Sequence, residues 1–130
     1  MAEEAAFATL REGYREDMAH VAALRPEAES AGGAVYVLPD APWSRRVCGV
    51  FANDLASARP ARAHAVLTPR RDGTFTVSVR APKANPARAD ELCRQFPTGG
   101  GRACAAGINQ LSPERFDIFV ARFNQTYAGG

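Results

Sequence analysis

The spacing of hydrophobic and polar positions changes several times along this chain, and each change marks an element. From Glu3 to about Leu24, Phe7, Leu10, Tyr14, Met18 and Val21 step by three or four residues, which predicts an amphipathic helix. Arg25-Pro26 stops it, because proline disfavours helix in the residue before it. Ala31-Gly32-Gly33 then reads as a flexible joint. The short continuous apolar run 34–38 predicts a buried strand. Over 44–58, Val47, Val50, Phe51 and Leu55 keep helical spacing, and Arg59-Pro60 ends the run. A second strand is expected over 63–68, and Asp72-Gly73 supplies a hairpin turn. The next strand, 74–80, alternates: Phe75, Val77 and Val79 on one side, Thr74, Thr76, Ser78 and Arg80 on the other. Asn85-Pro86 reads as the cap and first residue of a helix running to Phe96. A last strand is expected over 108–111. Ser112-Pro113-Glu114 opens a final helix whose apolar face carries Phe116, Phe119, Val120, Phe123 and Tyr127. These elements predict a single α/β (α+β) domain, a mixed sheet of four to five strands flanked by helices.

One stretch has no periodicity at all. Thr98-Gly99-Gly100-Gly101-Arg102-Ala103-Cys104-Ala105-Ala106-Gly107 joins three consecutive glycines to an arginine and a run of small residues. Glycine loses more backbone entropy on ordering than any other residue, so such a run marks a sharp turn or a place with no room for a Cβ. The expectation is a tight loop feeding a short helix whose open N-terminal amides attract anions, with Arg102 closing on a phosphate from the side. The run matches neither the P-loop nor the dinucleotide fingerprint, and a ligand-free turn is the competing reading.

Composition narrows the chemistry. The chain has 130 residues, 46% of them apolar, 23% charged, with a net charge of +2. That is too little charge to announce a nucleic-acid binder. Arginines nevertheless crowd the middle of the sequence, from Arg45 to Arg102, and Lys83 is the only lysine. No apolar run is long enough to span a membrane, and the acidic N-terminus lacks the positive region of a signal peptide, so a cytoplasmic protein is expected. Cys48, Cys93 and Cys104 have no paired spacing and are expected to be reduced, partly buried thiols. His20 and His64 sit in no metal-ligand spacing, and no nucleophile elbow or paired carboxylates occur. The residues describe a binder rather than a catalyst, with no metal or cofactor of its own.

The order strand, helix, hairpin ending in Ser78-Val79-Arg80, helix, Gly99-Gly100-Gly101-Arg102, then Ala105-Ala106-Gly107 resembles the DHH-associated domain of the first type. Cys48-Gly49-Val50 with Asn53 and Leu55 adds to the resemblance, which covers roughly residues 33 to 127. That domain is the C-terminal module of DHH-family phosphoesterases: RecJ-type single-strand exonucleases, oligoribonucleases, exopolyphosphatase-related enzymes and cyclic-dinucleotide phosphodiesterases. A related module ends alanyl-tRNA synthetases. Many family members have a histidine where this chain has Arg102. Phosphate binding survives that exchange, whereas any role for a neutral imidazole does not.

The resemblance implies a substrate-binding domain over 33–130 behind a linker helix over 1–32. It implies a site made of Ser78, Arg80, Gly99, Gly100, Gly101, Arg102, Ala105 and Gly107. The partners would be short single-stranded nucleic acid or a phosphate-bearing nucleotide, together with a DHH domain in cis. Manganese would belong to that domain, whose ligands are not in these residues. The chain is then either a C-terminal domain of a longer protein or a separate module, inactive alone, while its parent would be a metal-dependent hydrolase. Two alternatives stand beside this: a stand-alone single-strand-binding module, which needs Trp43 or Tyr36 exposed for stacking, and a structural or homodimerising domain in which the glycines only permit close packing.

Overall fold

The computed structural model describes residues 24–30 and 32–127. The helix expected over 3–24 therefore lies almost wholly outside the described residues. The elements are β1 (Ala28–Ser30), β2 (Gly33–Val37), α1 (Pro42–Ala58), β3 (Ala63–Pro69), β4 (Phe75–Arg80), α2 (Ala89–Cys93), β5 (Gly99–Gly101), β6 (Ala105–Leu111) and α3 (Phe116–Tyr127). A short 3-10 turn, Pro113–Arg115, leads into α3.

The six strands form one mixed sheet in the order β1-β2-β3-β4-β6-β5. Its one parallel pair is β2 with β3, joined by the α1 crossover; the other neighbours run antiparallel. The count is six rather than four to five because two short edge strands carry no sequence signal. β1 pairs with β2 through Ser30↔Gly33, so Gly33 is a ladder residue and not part of a joint. β5 is the glycine run itself.

The two faces of the sheet are covered differently. One face meets the larger core, where Val35, Leu67, Val77, Val79 and Ile108 pack against Leu92 of α2, Phe96, and Phe119 and Phe123 of α3. The alternation expected for β4 holds, with Val77 and Val79 buried and Thr76, Ser78 and Arg80 partly exposed. On the opposite face Val47, Phe51 and Ala52 of α1 cover Ala34, Tyr36 and Val66 of β2 and β3. Val50, expected in that apolar stripe, instead stands 39% exposed. Over β4, β6 and β5 on this side, Thr76, Ser78, Gly107, Gly100 and Ala105 remain partly exposed.

The helix expected from Asn85 to Phe96 shrinks to the five residues of α2. Arg88 takes a left-handed conformation (φ 79°), which breaks any helix running through it. The Ala89 amide donates to Ala103 O (3.0 Å), so the start of α2 is tied to the turn before β6. At the last helix, Pro113 opens the turn as expected, while Ser112 makes no side-chain cap.

A cationic cavity at one end of the open sheet face

The glycine run corrects the main expectation about the site. Gly99–Gly101 is an edge strand, and the chain beyond the Arg102 turn continues as the strand β6 rather than a helix, so no helix N-terminus exists there to collect an anion. Tertiary pairing decides this: Gly99, Gly100 and Gly101 sit opposite Ile108, Gly107 and Ala106. The three glycines have different reasons. A Cβ at Gly99 would collide with the Cys93 carbonyl at the end of α2. Gly101, at φ +141°, would press a Cβ against Ala106. Gly100 alone points into open space, with nothing within 4 Å of where a Cβ would be. It faces the uncovered side of the sheet, in one row with Gly107 and Ser78.

The hairpin turn between β5 and β6 carries Arg102. The Arg102 amide donates to Ala105 O (2.9 Å) and closes the turn. Two further amides clamp it from outside, Ala81 onto Cys104 O and Ala89 onto Ala103 O, both at 3.0 Å. The turn is thereby fixed beside the C-terminal end of β4, where Arg80 emerges.

There the chain forms a cavity of about 380 Å³ whose lining includes Asn53, Ser57, Arg80, Lys83, Arg102 and Ala105. The C-terminal half of α1 sets its cations. Asn53 and Ser57 are four apart and share a helix face. Arg80 Nε donates to Asn53 Oδ1 (2.9 Å), and Lys83 Nζ donates to Ser57 Oγ (2.8 Å). Arg102, carried by the β5–β6 turn, also lines it and is exposed. Among the described residues, three cations line this cavity and no carboxylate does. Like charges gathered without a counter-ion are unfavourable alone and become favourable around an anion.

Of the residues expected at the site, Arg80, Arg102 and Ala105 line the cavity. Ser78, Gly107 and Gly100 form the row of the adjoining floor. Gly99 and Gly101 serve the packing. Lys83, Asn53 and Ser57 were not anticipated as a set. Asn53 belonged to the resemblance, but Lys83 comes after the strand in a stretch with no pattern, and only the fold brings it to Arg80.

The remaining chemistry lies away from this cavity. His64 is fully buried on β3, paired across the ladder with Arg80. Its Nε2 accepts from Arg62 Nε (3.2 Å), which leaves the proton on Nδ1, where it finds no partner among the described residues. Desolvation, reinforced by Arg62 and Arg59, lowers its pKa to about 4, so the ring is neutral at physiological pH. Burial, with Asp90 nearby, pushes the Cys93 thiol up to about 12 and keeps it inert. All three cysteines are free, but burial separates them: Cys93 is buried, Cys48 half-buried and Cys104 exposed on the cavity rim rather than partly buried. Among the described residues no three His, Cys, Asp or Glu side chains are placed together. No helix among them is long and apolar enough to cross a membrane.

No protein-family model matches this sequence, and no curated protein is significantly similar to it. Solved structures do match. RecJ from Thermus thermophilus, crystallised with Mg2+, is 25% identical with a TM-score of 0.65 over 88% of this chain. The chain spans 18% of that RecJ chain, so it corresponds to one segment of a much larger protein. The C-Ala domain of Aquifex aeolicus alanyl-tRNA synthetase matches over its whole length, at 17% identity and a TM-score of 0.56 across 82% of this chain. The pGpG-specific phosphodiesterase PggH from Vibrio cholerae gives 13% identity and a TM-score of 0.56, with 79% of this chain and 36% of that one covered. The chain has a RecJ-like fold.

Proposed function

We propose that this chain is a phosphate-binding module for nucleotides or short single-stranded nucleic acid. Its type is the DHH-associated domain that accompanies the catalytic half of a DHH-family phosphoesterase. The observation that carries this reading is the cavity where Arg80, Lys83 and Arg102 meet with no carboxylate among the described residues that line it. Two guanidiniums suit a terminal phosphate, since each presents a planar fork to its oxygens. The fold shared with segments of RecJ and PggH supports a nucleotide-related role. Ser78-Val79-Arg80 and Gly99-Gly100-Gly101-Arg102, the motifs that carry the resemblance, border the cavity or its floor. Manganese chemistry would be supplied by a DHH domain. This chain's part would be to hold the substrate's phosphate while the metals act elsewhere.

The stand-alone reading loses one of its stacking platforms: Tyr36 is buried, its ring edge-on to Phe51 at 5.2 Å. The test is fluorescence anisotropy of a labelled, 5′-phosphorylated tetranucleotide at low salt. Few phosphate contacts give a Kd no tighter than about the micromolar range. Arg102→Ala and Arg80→Ala should each weaken binding about ten- to hundredfold, in line with the loss of one charged hydrogen bond of about 1.5–3 kcal/mol. Unchanged affinity in both variants would move the site elsewhere. Binding that ignores salt would refute a phosphate site altogether.

A further inference from the structure

We propose that the open sheet face is a track with a second anion subsite at its far end, so that one single-stranded oligonucleotide is gripped by phosphates several nucleotides apart. This extends the phosphate site above and rests on it. The second subsite is a cavity of about 490 Å³ whose lining includes Arg45, Thr68, Arg70, Arg71, Asp72 and Thr76. Thr68 and Thr76 are opposite one another on β3 and β4, on the same face as Ser78 and Arg80. Thr76 lies four residues before Arg80 on β4, a rise of about 13 Å at roughly 3.3 Å per residue. At about 3.4 Å per stacked nucleotide, that is roughly four steps of a single strand.

The far cavity is built to hold its arginines on this face. Arg70 Nη1 donates to Thr76 Oγ1 (3.3 Å), while its buried Nε has no hydrogen-bond acceptor among the described residues; the Asp72 carboxylate stands 3.6 Å away. Arg45 Nη1 donates to Pro69 O (3.1 Å) and pairs with Asp40 at 3.4 Å. Arg71 is exposed. Asp72, the one carboxylate in the lining among the described residues, is already engaged by the Thr74 hydroxyl and amide and by Gln110 Nε2, bonds that hold it below its usual pKa. Arg45, Arg70 and Arg71 set against Asp40 and Asp72 leave a net +1 here. Between the two cavities β4 presents Ser78, flanked across the sheet by Gly107 and Gly100, so this level of the face presents nothing larger than a hydroxymethyl group. Such a floor lets sugars and bases lie close without selecting among them, so the track reads length and phosphate rather than sequence.

The experiment measures binding of labelled oligothymidylates of two, four, six and eight nucleotides to the full chain. It compares the unaltered protein with Arg71→Glu, Arg45→Ala and Arg102→Ala, each first checked for fold by circular dichroism. The unaltered chain should tighten about tenfold from two to six nucleotides as the second subsite engages. Arg71→Glu and Arg45→Ala, on different elements, should each reduce that gain about threefold or more while leaving the dinucleotide unaffected. Arg102→Ala should weaken every length. If both far-end variants bind the hexanucleotide as the unaltered chain does while Arg102→Ala is impaired, the second subsite is wrong and the first stands. If they weaken all lengths equally, they act through a general field and the track is again wrong. If no length binds, or Arg102→Ala changes nothing, the first site fails and takes the track with it.

Discussion

Gly99 and Gly100 are neighbours in the sequence and differ in what a methyl group would meet. A Cβ at Gly99 would run into the Cys93 carbonyl, which is backbone and has nowhere to go. Gly99→Ala should therefore cost more than about 3 kcal/mol or prevent folding, read as the urea midpoint. Gly100→Ala meets no neighbour and should stay within about 0.5 kcal/mol of the unaltered chain, while its methyl intrudes on the floor and weakens oligonucleotide binding. His64 sets a second residue-scale effect. Its folded pKa, about 4, lies below the ordinary 6.5, so between these values the unfolded chain binds a proton the folded chain refuses. Stability falls as pH falls through this window. The loss from His64 should reach about 2 kcal/mol between pH 7 and pH 5, at about 1.4 kcal/mol per pH unit. Denaturation of His64→Gln beside the unaltered chain at both pH values isolates it, because the carboxylates contribute equally to each.

Among the elements, α3 is anchored by an aromatic ladder in which Phe119 and Phe123 meet tilted at a centroid distance of 6.2 Å, and Phe123 and Tyr127 edge-on at 5.3 Å. Phe119 is fully buried, and Phe119→Ala should cost about 3–5 kcal/mol. Ile118, one position away and 53% exposed, should tolerate lysine within about 0.5 kcal/mol. Thermal or urea unfolding of the two variants checks the contrast. This ladder was legible in the sequence, as were α1 and β4, because burial on one side imposes a regular period on the residue types, and β2 and β3, because burial on both faces leaves a continuous apolar run. The edge strands were not. β5 has no side chains to alternate, and the first half of β6 is alanine and glycine, whose small size suggested a helix. Their conformation is decided by partners distant in sequence. The site divides the same way: Arg80 and Arg102 stood in recognisable motifs, while Lys83 joined them only through the fold, held by a serine 26 positions away.

At the scale of the molecule, the cavity draws its cations from two loops and a strand end, so its electrostatics belong to the assembled sheet. Three cations meeting phosphates should give a slope of about −2 in log affinity against log salt for a short single strand, and removing Arg102 should bring it to about −1.4. Titrations at three salt concentrations are enough to tell these apart. The clamps on the Arg102 turn have a kinetic corollary. The amides of Ala81 and Ala89 can meet solvent only when the strand pair that carries the turn parts from its neighbours, so both protons should exchange with deuterium through one shared opening event. A bound oligonucleotide would slow the two together by the same factor, 1 + [L]/Kd, and leave the amides of α3 at their unliganded rates. Two backbone protons, one on Ala81 in the cavity lining and one on Ala89 outside it, would then report the same occupancy.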